Sequence, residues 1–118
     1  IEAVRQLFAR SDTPRAALCF NDAVAFGAID ALRERGIEPG VDFSVVGFDD
    51  VIESKSVRPA LTTVSVAPQN LGERAAQLLL KQINSGRHEV EHILTPVRLA
   101  VRESCGAAAA KRAQDRSA

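Results

Sequence analysis

Two polar pairs carry most of the chemistry available to this chain. Asn21-Asp22 follows the apolar run Ala16-Ala17-Leu18-Cys19-Phe20, and Asp49-Asp50 follows Phe43-Ser44-Val45-Val46-Gly47-Phe48. A side-chain amide has two donors and an acceptor, whereas a carboxylate only accepts. Together they can hold the vicinal hydroxyls of a sugar or the edge of a nucleobase. Phe20 and Phe48 stand beside the pairs, and with only five aromatic residues in the chain, all Phe, they are scarce surfaces on which a ring can rest. Acid/base catalysis by Asp49 and Asp50 together is disfavoured, because neighbours in an extended segment point in opposite directions and do not share a proton. The plainer roles are also open: Asp22 as a helix cap, Asp49 and Asp50 as ordinary turn acids.

Other catalytic patterns are missing. The sequence has no G-x-S-x-G elbow, P-loop, H-E-x-x-H or glycine-rich phosphate loop. Cys19 and Cys105 form no C-x-x-C pair, and Cys19 reads as a small buried thiol in an apolar run. His88 and His92 flank a polar turn and read as surface residues. No metal site, disulfide, cofactor or enzymatic activity is therefore expected. Lys plus Arg total 15 and Asp plus Glu 15, which leaves no excess charge to draw this chain alone to nucleic acid or an anionic membrane. Nor does any apolar run reach the roughly 20 residues that span a bilayer, and the first residues lack the charged-then-apolar pattern of a secretory leader. At 118 residues and 46% hydrophobic, the chain has the length and composition of about one packed domain.

The pairs need strands to carry them and helices to follow. Ile1–Arg10 has a helical apolar stripe that starts abruptly and reads as the end of a longer element, and Ser11-Asp12-Thr13-Pro14 is a turn. Ala16–Phe20 reads as a strand covered on both faces. Ala23–Arg35 reads as a helix with Asp22 as its cap, Ala25, Ala28, Ile29 and Leu32 on its apolar face, and Gly36 as its stop. Phe43–Gly47 is a second strand, Val51–Pro59 is irregular, and Leu61–Val66 is a third. Asn70–Asn84 reads as an amphipathic helix with Leu71, Ala75, Leu78, Leu79 and Ile83 on one face. His92–Leu94 and Val97–Arg102 read as short strands, and a small-residue tail after Cys105 reads as disordered. Such alternation predicts an α/β fold with a parallel sheet, in which ligands bind outside the carboxyl ends of the strands, where both polar pairs lie.

Pro14-Arg15-Ala16-Ala17-Leu18-Cys19-Phe20-Asn21-Asp22, Ala25-x-Gly27-Ala28, Gly40 to Asp50, Pro59-Ala60-Leu61-Thr62-Thr63-Val64, Leu71-Gly72 and Arg102-Glu103-Ser104 together resemble the C-terminal part of lac-repressor-family (LacI/GalR) transcriptional regulators. The resemblance covers Ile1 to about Ser104. It implies a periplasmic-binding-protein-like parallel sheet flanked by helices. Residues 1–60 would be part of the C-terminal effector-binding subdomain, 61–104 the crossover strand, last helix and terminal strands of the N-terminal subdomain, and 105–118 a disordered tail. By position Asn21 and Asp49 match effector contacts for a small sugar-like or nucleobase ligand, with Phe20 and Phe48 beside them. Phe26 and Val57 match a homodimer surface. Operator DNA would be bound by a headpiece absent from this chain, in a cytoplasmic protein. At Val66 many relatives place a polar residue, often Gln, so a less polar ligand edge is implied here, and Phe20 stands where smaller residues are common. The alternative is a periplasmic sugar-binding protein of a transporter, which shares the fold; the Leu61-Thr62-Thr63-Val64 crossing and the Arg102-Glu103-Ser104 ending favour the regulator. With the rest of the relatives' N-terminal sheet missing, Leu61–Val66 and Val97–Arg102 are expected to lie in a second subdomain and to leave apolar surface uncovered.

Overall fold

A computed structural model describes residues 2–9, 14–86 and 90–107. Among them are the helices α1 (Glu2–Phe8), α2 (Asp22–Arg33) and α3 (Pro68–Ser85), the strands β1 (Ala16–Leu18), β2 (Ser44–Phe48), β3 (Thr62–Ser65) and β4 (Arg98–Ala100), and a single 3-10 turn at Ile52–Lys55. The strands form one sheet in the order β1-β2-β3-β4, the first three parallel and the last antiparallel. Registers Leu18↔Val46, Phe48↔Val64 and Val64↔Leu99 align the strand ends.

The core forms where the apolar stripe of α2 meets β2. Ala25, Ala28, Ile29, Ala31 and Leu32 are buried with Val45, Phe43, Leu61 and Val4. Full burial of a side chain such as Ile29 or Leu32 contributes about 1.5–3 kcal/mol. α1 packs into the same core, where the Phe8 and Phe43 rings sit 5.8 Å apart, tilted by 42°. The end of α2 follows from Gly36: at φ +71° it reverses the chain, so that Ile37 N–H reaches Leu32 O at 3.0 Å and Gly36 N–H reaches Arg33 O at 2.9 Å. Ile37 thereby folds back onto the core, as a glycine-terminated helix requires.

Several expectations are corrected. Asp22 does not cap α2; Asn21 does, in extended geometry, with its side chain accepting from Val24 N–H at 2.9 Å. Residues 61–66 and 97–102 do not form a separate sheet, because β3 pairs directly with β2 and β4 with β3. No strand forms at 92–94, where residues 91–97 take no regular structure. α3 begins at Pro68 rather than Asn70, since proline suits the first helical turn, whose N–H has no partner anyway. The start of the tail is ordered: Gly106 N–H donates to Glu103 O at 3.1 Å and the Ser44 hydroxyl donates to Cys105 O at 3.2 Å. The turn at 11–13, His88 and the tail beyond Ala107 lie outside the described residues.

Among the described residues one face of the sheet is covered and the other is largely open, Thr62 alone being buried there beside the Arg102 main chain. By strand alternation Leu18, Val46, Phe48, Val64 and Leu99 share the face opposite Val45 and Gly47, and Leu18, Phe48 and Leu99 are exposed there. α3 has the expected amphipathic pattern but no buried residue, with Leu71, Leu79, Leu80 and Ile83 exposed.

Candidate functional site

β2 delivers Asp49 to the carboxyl edge of the sheet and then turns sharply. Asp49 has φ 106° and Asp50 φ 55°, the left-handed region that residues with a Cβ seldom occupy. Three main-chain donors hold this turn. Asp49 N–H donates to Val64 O at 2.9 Å, Asp50 N–H approaches Thr63 Oγ1 at 3.4 Å, and Val51 N–H donates to Asp22 Oδ2 at 2.9 Å.

Asp22 is therefore the buried anchor of the site rather than a cap. Only 1% exposed, it also accepts from the Thr63 hydroxyl at 2.5 Å. Its neighbour across the core has to be glycine, since a Cβ on Gly47 would overlap the Asp22 carboxylate. A second tie lies on the other side of the turn. Arg102 Nη2 donates to Asp50 Oδ1 at 2.5 Å, while Nη1 donates to Ser54 Oγ at 2.9 Å and Leu61 O at 2.7 Å. Its own N–H meets Thr62 Oγ1 at 2.8 Å. The Asp50 and Arg102 side chains are 11% and 16% exposed, so this ion pair is largely withdrawn from water. Burial acts to raise the Asp50 pKa, but the hydrogen bond and charge of Arg102, with the Ser65 and Ser54 hydroxyls, outweigh it and hold the carboxyl below the usual aspartate value.

A cleft of about 750 Å³ opens beside the turn, lined by Asp49, Asp50 and Val51, by Ile52, Glu53 and Lys55 of the following turn, and by Ser65 to Gln69 leading into α3. Its wall combines two half-buried aspartates, a lysine, a glutamate and a glutamine with apolar Val51, Ile52, Val66 and Ala67. That lining suits a small polyhydroxylated or heterocyclic ligand with a few fixed hydrogen bonds. Val66, where the family resemblance implied a less polar ligand edge, is on this wall.

Asn21, Phe20 and Phe48 are not on it. Asn21 stands half-buried at the end of β1, its Oδ1 engaged by Val24 N–H and its amide nitrogen left to donate elsewhere. Phe20 is 88% exposed, and Phe48 lies on the open sheet face. Carrying the β1–β2 register three residues past Leu18↔Val46 puts Asn21 level with Asp49 along the same edge. Cys19 is half-buried, and burial pushes its thiol up, away from the reactive thiolate. Phe26 and Val57 do come together: they line one cavity of about 210 Å³ with Ile29, Asp30, Arg33 and Arg58.

Among the described residues no three His, Cys, Asp or Glu side chains gather as a metal-ligand set. No described helix is long and apolar enough to cross a membrane.

Sequence reasoning missed Asp22, Thr63, Ser54 and Arg102 as the supports of Asp49. One signal was available. Asp22 falls at helical spacing with Ala25, Ile29 and Leu32, on the stripe that had to be buried, and a carboxylate there requires partners.

Residues 1–105 match the family model of the periplasmic binding protein-like domain. The chain is 40% identical over 103 residues to the HTH-type transcriptional repressor PurR of Mannheimia succiniciproducens, a match covering 87% of this chain and 31% of that protein. Among solved structures it resembles a lac repressor dimer bound to operator and the anti-inducer ONPF, with TM-score 0.80 and 35% identity over 88% of this chain and 36% of the other. It equally resembles a LacI family transcriptional regulator from Enterococcus faecium with bound ribose, with TM-score 0.79 and 30% identity over 88% of this chain and 38% of the other. The chain thus spans about a third of the length of its relatives.

Proposed function

Because this chain belongs to the periplasmic binding protein-like family, in its lac-repressor-type branch of transcriptional regulators, we propose that it is the effector-binding portion of a DNA-binding repressor that responds to a small sugar-like or nucleobase ligand. The observation that carries this reading is the cleft at the carboxyl edge of the sheet, with Asp49 on its wall in a turn held from three sides. Asp49 would accept from ligand hydroxyl or ring N–H groups, and Asn21 would donate from the neighbouring strand end. Phe20 would give the ring face, with Phe48 behind the edge. These relatives are transcriptional repressors or regulators rather than transport proteins, which supports the regulator over the transporter alternative.

The partners follow from the same reading. Phe26 and Val57 would form part of a homodimer surface; their shared cavity supports this, since a second copy could fill it. Operator DNA would be bound by a headpiece outside this chain, in the cytoplasm. Effector would change the position of the second subdomain relative to this one, and the difference in effector affinity between the two arrangements would become a difference in DNA affinity.

A calorimetric titration of the full-length protein against pentoses, hexoses and purine bases tests the binding claim. At least one should bind, and Asp49→Ala should weaken it by about 10- to 100-fold, the loss of charge-assisted hydrogen bonds in a cleft. Equal affinity in the variant would remove Asp49 from the ligand site.

A further inference from the structure

We propose that Asp50 and Arg102 form a positioning clamp that holds the Asp49–Val51 turn in its left-handed form, and so aims the Asp49 carboxylate into the cleft. This rests on the reading of Asp49 as an effector contact. The adjacent aspartates divide the work: Asp49 is half-buried on the cleft wall, whereas the Asp50 carboxylate is occupied by Arg102 and lies 3.3 Å from the Ser54 hydroxyl.

The clamp is needed because Asp49 and Asp50 both have positive φ, and neither is a glycine. An unrestrained chain would relax toward the extended region and swing Asp49 away. The main-chain bonds alone leave Asp50 weakly held, since its N–H contact is the long one at 3.4 Å. Arg102 supplies the missing tie, and its fork reaches three segments at once: the turn at Asp50, the 3-10 segment at Ser54 and the entry to β3 at Leu61 O. A lysine ammonium is a point charge without that planar fork and cannot hold all three in this geometry. Arg102 is thus a positioning residue that touches no ligand. It also connects the effector turn to the end of β4, a chain segment far from it in sequence.

Hydrogen exchange read by mass spectrometry on the full-length protein tests the clamp without any ligand. In Asp50→Asn, which preserves shape, and in Arg102→Lys, exchange in a peptide spanning Phe48–Glu53 should quicken about tenfold, while peptides from α2 keep their wild-type rates. Unchanged exchange at the turn would overturn the proposal. So would acceleration shared equally by α2, which would mark a merely structural role. Asp49→Asn should leave exchange at the turn unchanged, since it keeps the clamp and asparagine tolerates positive φ. Failures of the two readings separate. Ligand binding that survives Asp49→Ala sinks the effector reading with the clamp intact, whereas unchanged exchange in Asp50→Asn sinks the clamp whatever Asp49 binds.

Discussion

Asp22 joins the first helix turn of α2, the third strand and the Asp49 turn through two hydrogen bonds that its one buried carboxylate accepts. Truncating it to Ala leaves the part-buried Val51 N–H and the buried Thr63 hydroxyl without their acceptor, a cost of about 1–3 kcal/mol for the hydroxyl and less for the N–H. Gly47→Ala strikes the same point by steric overlap and should cost about 1–3 kcal/mol. Urea unfolding followed by circular dichroism should show both losses, and a double variant should lose less than their sum, because the Cβ added at Gly47 then meets no Asp22 carboxylate. Additive losses would mean that the anchor is not shared. At this scale the sequence was partly legible. Asn21 and Asp49 stood out because they end apolar strands. Their supports did not, because Arg102 lies 52 positions from Asp50 and Asp22 lies 41 from Thr63. No local period reports a contact of that range.

Elements were easier to read than contacts. The α2 stripe of Ala25, Ala28, Ile29 and Leu32 packs as its spacing requires, and Gly36 ends the helix where its left-handed freedom was needed. Four strands were located, with a fifth read at His92–Leu94 that does not form, but their partners were not, since a β-branched run such as Leu61–Val66 reads as a strand without saying beside what. β3 pairs with β2 from Val46↔Thr62 to Phe48↔Val64, and further bonds tie it to its surroundings: the Thr63 hydroxyl donates to Asp22, and Thr62 N–H donates at 2.9 Å to Ser104 Oγ, which itself donates to Val45 O of β2. α3 is the opposite case, a helix correctly read whose leucine face has no buried residue, only Leu78 being half-buried beside Ile93. With that face and the open side of the sheet both apolar, the 118-residue chain on its own should self-associate. Sedimentation velocity over a hundredfold concentration range should show a rising mean mass. Replacing Leu79 and Ile83 by Lys should lower it, and a concentration-independent monomer would contradict the prediction.

At the scale of the whole molecule, the neutral charge balance and the cleft belong to one account. A sensing module needs a concave site and a rigid turn, not a basic surface, and its 15 cationic and 15 anionic residues offer no net attraction to DNA. On the proposed reading a DNA response would reach this chain through coupling, and Arg102, which ties the Asp49–Val51 turn to the end of β4, lies where such coupling would pass. Coupling of this kind typically changes affinity by about 5- to 150-fold. The most direct test is fluorescence anisotropy of the full-length regulator on its own promoter DNA, with and without the sugar or purine base that binds it, in wild type and in Asp49→Ala. The account predicts at least about a fivefold change in DNA affinity on adding ligand to wild type, and a much smaller change in Asp49→Ala at the lowest ligand concentration that gives the full wild-type response. A wild-type DNA affinity that stays the same with the ligand bound would contradict it.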